Sequence, residues 1–199
     1  MRPQRYFSDR IKEVISSNLE TNRKVLSDQI LNIEKAAEAI VDALKGGGRL
    51  IVFGNGGSAA DSQHIAAELV GRFQKERKPL SAIALTTNTS TLTAIANDYG
   101  YDASFSRQVE ALARSGDAVL AISTSGNAEN VLGAVRSAKA LGLVTIGLSG
   151  KGGGGLAKLA DINIIVPSKT TARIQESHIL IGHIICELVE EYALSLIHI

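Results

Sequence analysis

The 199-residue sequence has no tryptophan, one cysteine, one methionine and three prolines. A lone thiol, Cys186, leaves no partner for an intrachain disulfide, so nothing requires an oxidising compartment, and Cys186 reads as a free core residue. An excess of either charge is also missing: the formal net charge is +1 and no basic stripe stands out. That removes the electrostatic argument for a nucleic-acid partner. No window approaches the roughly 18 consecutive apolar residues that a membrane span needs. Met1–Arg10 carries three arginines without an apolar core, so it is not a secretory signal. The expectation is a soluble cytoplasmic protein with neither nucleic acid nor membrane as partner.

What is present is ordinary globular composition, 45% apolar and 21% charged, in a length that suits one domain over 1–199. Nineteen glycines point to tight turns and close backbone approaches. Ile11, Val14, Ile15 and Leu19, then Ile30, Ile33, Ala37, Ile40, Val41 and Leu44, recur at helical spacing. They predict a hairpin-like helical pair over about 8–45, ended by Gly46-Gly47-Gly48.

From about 49 to 196 short apolar runs alternate with amphipathic stretches. Strands are predicted at Leu50–Phe53, Ala82–Leu85, Ala118–Ile122, Val144–Leu148 and Ile162–Val166, each nearly continuous in apolar residues, as a strand buried on both faces should be. Helices are predicted at about Ser58–Arg72, Ser90–Asn97, Phe105–Arg114 and Ala128–Leu141, with a short one near Leu156 and a long last one from Ala172 to Leu196. This rhythm implies an α/β fold: a three-layer, doubly wound, parallel five-stranded sheet. Ligands of such sheets bind in the loops beyond the carboxyl ends of the strands. Gly152–Gly155 reads as a mobile turn, and there is no repeat or linker.

Two of those loops suit a phosphate. The first strand runs into Gly54-Asn55-Gly56-Gly57-Ser58 and then a helix, where glycines bring backbone N–H groups close to an anion. Ser58 adds a hydroxyl or caps the helix. The pattern is neither G-x-G-x-x-G nor a Walker loop, and alone it is equally a structural turn. The third strand runs into Ser123-Thr124-Ser125-Gly126-Asn127, a second cradle of neutral donors or a plain capped helix start. Two such loops at neighbouring strand ends favour a small phosphorylated ligand. Asn97-Asp98 before Gly100 is either a helix stop or a grip on sugar hydroxyls.

His64 and Glu68 stand four apart on the helix after the first cradle, on one face, and their nitrogen and oxygen donors suit zinc. Such a pair is also an ordinary helix-surface contact. On the last helix Gln175 and His183, two i,i+4 steps apart, share a stripe, while His178 lies about 140° round from His183. The apolar neighbours Ile179, Ile181 and Ile185 leave a satisfied core histidine as the alternative.

Gly54–Asp61 with His64 and Glu68, Ser123–Asn127, and Arg173-Ile174-Gln175-Glu176 followed by His183 resemble the sedoheptulose 7-phosphate isomerases (phosphoheptose isomerases) of the SIS fold, from about residue 8 to 192. The resemblance implies a homotetramer with active sites between subunits. It also implies one zinc per subunit on His64, Glu68, Gln175 and His183, with Glu68 and His183 as the acid/base pair. Substrate contacts carry over to Asn55, Gly56, Gly57, Glu68, Asn97, Asp98, Ser123, Thr124, Ser125 and Gln175. Ser58 joins them from its place in the cradle. Ala128 and Ala172 depart from the pattern, the family commonly having serine and some members an acidic residue there.

The residue types suit the implied reaction. A 2-ketose phosphate becomes an aldose phosphate when a proton leaves C1, one arrives at C2 and another moves between the oxygens. A zinc-bound carboxylate is a weakened base, so Glu68 must bind loosely or shift. The same fold also resembles a tetrameric protein that binds the replication initiator, and the sugar-phosphate-sensing domains of regulators. Neither function needs a carboxylate facing an imidazole, and no helix-turn-helix segment lies outside the sugar domain.

Overall fold

The computed structural model describes residues 6–195. Five strands, β1 (Leu50–Gly54), β2 (Ala82–Ala84), β3 (Ala118–Ser123), β4 (Val144–Ser149) and β5 (Ile162–Ile165), form one sheet in the order β2-β1-β3-β4-β5. All pairings are parallel, with Leu50 opposite both Ala82 and Ala118, Ala118 opposite Val144 and Ile146 opposite Ile162. Every residue of β1 and β3 is buried, which explains why these strands read as unbroken apolar runs.

Alternation divides the strand residues between two cores. Leu50, Val52, Leu120, Ile122, Ile146 and Leu148 face α2 (Ile30–Lys45), α3 (Gly57–Val70) and α8 (Thr171–Ser195). Ile51, Phe53, Val119 and Ala121 face α5 (Ser106–Leu112), α6 (Glu129–Ala140) and the short α7 (Leu156–Leu159). Between β2 and α5 run α4 (Thr89–Tyr99), capped by Asn88 Oδ1 accepting from Thr91 N at 3.0 Å, and one 3₁₀ turn. Cys186 is a buried free thiol, and burial pushes it up to about 12. No helix among the described residues is long and apolar enough to cross a membrane.

The predicted elements all occur, with ends moved by a residue or two in most cases. Two readings change. The helical pair is joined by a single residue: Gln29 keeps a helical backbone and donates its N–H to Val25 O, so α1 (Tyr6–Asp28) meets α2 at a kink with no hairpin loop. Gly152–Gly155 is a braced turn, because Asn127 Oδ1 accepts Gly155 N at 2.8 Å. The ends of the predicted chain organisation, including Leu196 and His198, lie outside the described residues.

The apolar residues that announced α1 face outward: Ile11, Ile15 and Leu19 are 58, 54 and 52% exposed. Only Thr21 and Val25 of α1 are buried. A polar seam holds the helix to α8. Asn18 Nδ2 donates to Glu176 at 2.7 Å, Ser177 Oγ to Asn22 Oδ1 at 2.8 Å, and Arg173 to Val14 O at 3.0 Å as well as pairing with Glu176.

Leu120 is fully buried on the central strand. Leu120→Ala is expected to lower the unfolding free energy by about 2–5 kcal/mol, read as an earlier denaturant midpoint at unchanged m-value.

Candidate functional site

In this strand order the helices following β1 and β3 leave to opposite faces, α3 to one core and α6 to the other. The loops therefore diverge at neighbouring strand ends and open a crevice between them. The two cradles of the sequence are these two loops.

The first cradle spans Gly54–Ser58. Gly56, with φ +58°, caps α3, so Ser58 is not the N-cap. Ser58 is the second residue of the helix, buried, its backbone N–H bonded to Asn55 O at 3.0 Å. Gly57 starts α3 against the last helix: a Cβ there would stand 2.4 Å from the Gln175 amide nitrogen. Gln175 thus reaches the first cradle from α8, and any side chain at 57 would expel it.

Asn55 is not a free grip on ligand. Its amide exchanges two hydrogen bonds with Asn130 of α6, at 2.8 and 2.9 Å, and its Oδ1 also accepts from Tyr101 Oη at 2.9 Å. Asn130 is buried and bonds Ser104 as well, tying the first cradle to the helix that follows the second. No sequence signal marked Asn130 or Tyr101, since neither belongs to a motif or an apolar period.

The second cradle begins at the end of β3, where Ser123 is buried and Thr124 and Ser125 are half-buried. The simple capping alternative does not hold, because Ala128 is the N-cap of α6 and makes no side-chain cap. Ser125 Oγ instead accepts Asn127 N at 3.1 Å. Gly126, at φ +67°, lies so close to the β4 loop that a Cβ would fall 2.0 Å from Gly153 O. That contact requires glycine and sets the height of the hydroxyls beside it.

His64, Glu68 and His183 converge. One ligand atom from each lies within 4.8 Å of the other two, the His64 and His183 Nε2 atoms are 2.9 Å apart, and Glu68 Oε1 is 3.3 Å from His64 Nε2. His64 is exposed and the other two are half-buried. Two nitrogens and a carboxylate with an open side are a donor set that catalytic zinc accepts. Facing Nε2 atoms at 2.9 Å form an imidazole hydrogen bond, one ring donating and the other accepting. The Phe73 ring lies 5.5 Å from that of His183, a neighbour with no signal in the sequence. Next to the cluster Asp61 has a buried Oδ2 without a partner, and burial raises this carboxyl to about 6 against the pull of His64.

His178 stays apart from the cluster: it and His183 point different ways, as their angle round the helix implied. It is fully buried and its Nε2 lies 3.1 Å from Ser149 O, a core histidine. Asn97 and Asp98 are not in a loop but in the exposed last turn of α4, ended by Gly100 at φ +85°, and Asn97 bonds only to Asp98, at 2.8 Å. Their segment meets the first cradle through Tyr101.

Residues 15–150 match the SIS domain family. The chain is 54% identical over 184 residues to the phosphoheptose isomerase of Campylobacter concisus, covering 91% of this chain and 97% of that protein. It is similar to the solved phosphoheptose isomerase GmhA from Neisseria gonorrhoeae, with 41% identity, a TM-score of 0.88, and 93% of this chain and 99% of that one covered. A phosphoheptose isomerase from Francisella tularensis superimposes with a TM-score of 0.89 at 39% identity, covering 92% and 97%.

Burial, opposed in part by the bond to Ser149, lowers His178 to about 4. The unfolded chain takes up that proton near 6.5 while the folded one resists to about 4, so His178 contributes stability above pH 6.5 that is lost as pH falls. His178→Gln is expected to make the fall in urea midpoint between neutral pH and pH about 4.5 shallower. An unchanged slope contradicts this assignment.

Proposed function

The chain belongs to the SIS domain family, in its phosphoheptose isomerase branch, and we propose that His64, Glu68 and His183 carry out its reaction. That reaction is the aldose–ketose isomerisation of sedoheptulose 7-phosphate to D-glycero-D-manno-heptose 7-phosphate through an enediol(ate). The product supplies nucleotide-activated heptose for cell-surface glycans. The observation that supports this placement most is the convergence of the three side chains within 4.8 Å, beside two anion cradles.

In this reading the backbone of Gly56 and Gly57 and the hydroxyls of Ser123, Thr124 and Ser125 receive the phosphorylated sugar. These are neutral donors, which hold an anion by hydrogen bonds and not by a lysine or arginine charge. Glu68 moves the proton between C1 and C2, and His183 serves the oxygens from the other side. Gln175, seated on Gly57, orients the sugar between cradle and acid/base pair. Asn97 and Asp98 grip hydroxyls, and Asn55 acts through the shape it shares with Asn130. Ser58, buried like Ser123, stays in the cradle set as a further hydroxyl.

One zinc per subunit completes the proposal, held by His64, Glu68 and His183 with Gln175 as the fourth ligand. When bound, it supplies Lewis-acid polarisation of the substrate oxygens. In the His64–His183 hydrogen bond one Nε2 carries the shared proton, and that nitrogen must give it up before both can become ligands.

The same proposal includes a homotetramer with sites completed between subunits, and a cytoplasmic location consistent with the lone buried thiol. Its support is the outward stripe of Ile11, Ile15 and Leu19, an apolar face on a helix that the described residues leave exposed.

Metal-replete protein with sedoheptulose 7-phosphate in deuterated water should give aldose and C1 deuterium by NMR. Absence of both overturns the activity. Glu68→Gln and His183→Gln should each lower kcat about 100-fold or more; full activity in either overturns its role alone. Bound zinc, measured in each variant, should fall with loss of a ligand. Ile15→Glu with Leu19→Glu should shift the molar mass in light scattering below that of a tetramer, and an unchanged mass would remove α1 from the interface.

A further inference from the structure

Arg77 and Glu190 form a buried ion pair that the chemistry above does not use. Arg77 Nε donates to Glu190 Oε1 at 3.1 Å, and the two side chains are 1 and 2% exposed. Replacing such a pair by apolar residues is often neutral or stabilising, so stability alone is a poor reason for burying it. An ion pair offers direction, and here each partner reaches a different piece of the site.

The Arg77 guanidinium caps the end of α3. It donates to the carbonyls of Glu68 at 2.8 Å and Leu69 at 2.9 Å, groups that have no partner within a helix at its last turn. Glu190, two helical turns beyond His183 on α8, receives the backbone N–H groups of Phe73 at 2.9 Å, Gln74 at 2.8 Å and Lys75 at 2.9 Å. The loop so gathered presents the Phe73 ring to His183, 5.5 Å away and tilted by 39°. Burial alone would raise the Glu190 carboxyl; the amides of residues 73–75 and the Arg77 charge outweigh it and hold it below the usual range.

We propose that the Arg77–Glu190 pair is a positioning clasp for the proton-transfer groups. Arg77 fixes the backbone that carries Glu68, and Glu190 fixes the Phe73 loop that sets the plane of the His183 ring. The clasp thereby holds α3 and α8 at the separation the two groups need. The inference rests on the assignment of Glu68 and His183 given above.

Three variants test it: Glu190→Gln, which removes the charge at nearly constant shape, Arg77→Lys, which removes the fork, and Phe73→Leu, which leaves the ion pair intact. In metal-free protein, long-range ¹H–¹⁵N spectra of the histidine rings should show the His183 signals displaced in all three, with those of His178 unmoved. In metal-loaded protein, at temperatures well below each variant's Tm, kcat should fall about tenfold or more with KM within about twofold, as expected of misplaced groups whose substrate contacts are intact. Unmoved His183 signals with wild-type kcat in Phe73→Leu overturn the proposal. So does a Glu190→Gln or Arg77→Lys protein that is less stable yet turns over at the wild-type rate. Should either charge variant fail to fold, Phe73→Leu alone decides. The ring signals do not depend on turnover, so a failed assignment of Glu68 or His183 would show as full activity in their own variants and leave this result readable.

Discussion

β1 and β3 are hydrogen-bonded neighbours, yet the chain leaves them toward opposite faces of the sheet. Two backbones that diverge from adjacent strand ends cannot cover the space between them, and the two candidate cradles border that opening. α3 carries His64 and Glu68 down one side. α8 lies on the same face, so Gln175 and His183 arrive beside them from more than a hundred residues away. α6 leaves on the other side, and the reciprocal amides of Asn55 and Asn130 are the one tie described across the gap that fixes its width by side chains on both edges.

Much of this was legible because it is local. Strands buried on both faces announce themselves as apolar runs, both cradles are contiguous, and a histidine four residues before a glutamate shares its helix face by geometry alone. The angle between His178 and His183 around α8 said only that the two could not share an ion; the family resemblance chose His183, and His178 is buried against Ser149. The illegible parts are long-range or two-sided. The spacing of Ile11, Ile15 and Leu19 announced a helix but not that its apolar face points outward, since periodicity says which residues share a side and not what lies beyond it. Asn130, Tyr101, Arg77 and Glu190 have no period and no motif. The cap reading of Ser58 failed for the opposite reason: serine after glycine is a common cap, but the helix is capped two residues earlier, at Gly56.

The cradles also show how backbone geometry stands in for charge. Gly126 fits against Gly153 only without a side chain, and Asn127 holds Gly155, so the β4 loop braces the hydroxyls of the β3 loop from behind.

The polar seam between α1 and α8 ties together two distant parts of the chain. Asn18 and Glu176 are 158 positions apart, and Ser177 and Asn22 are 155 apart. Closing so long a loop costs entropy that hydrogen bonds in partial contact with water return only weakly. Ile33 of α2 and Ile185 of α8 share a buried core across a comparable stretch of chain, so apolar burial there offsets the closure, and the seam adds direction to a contact it does not have to hold alone.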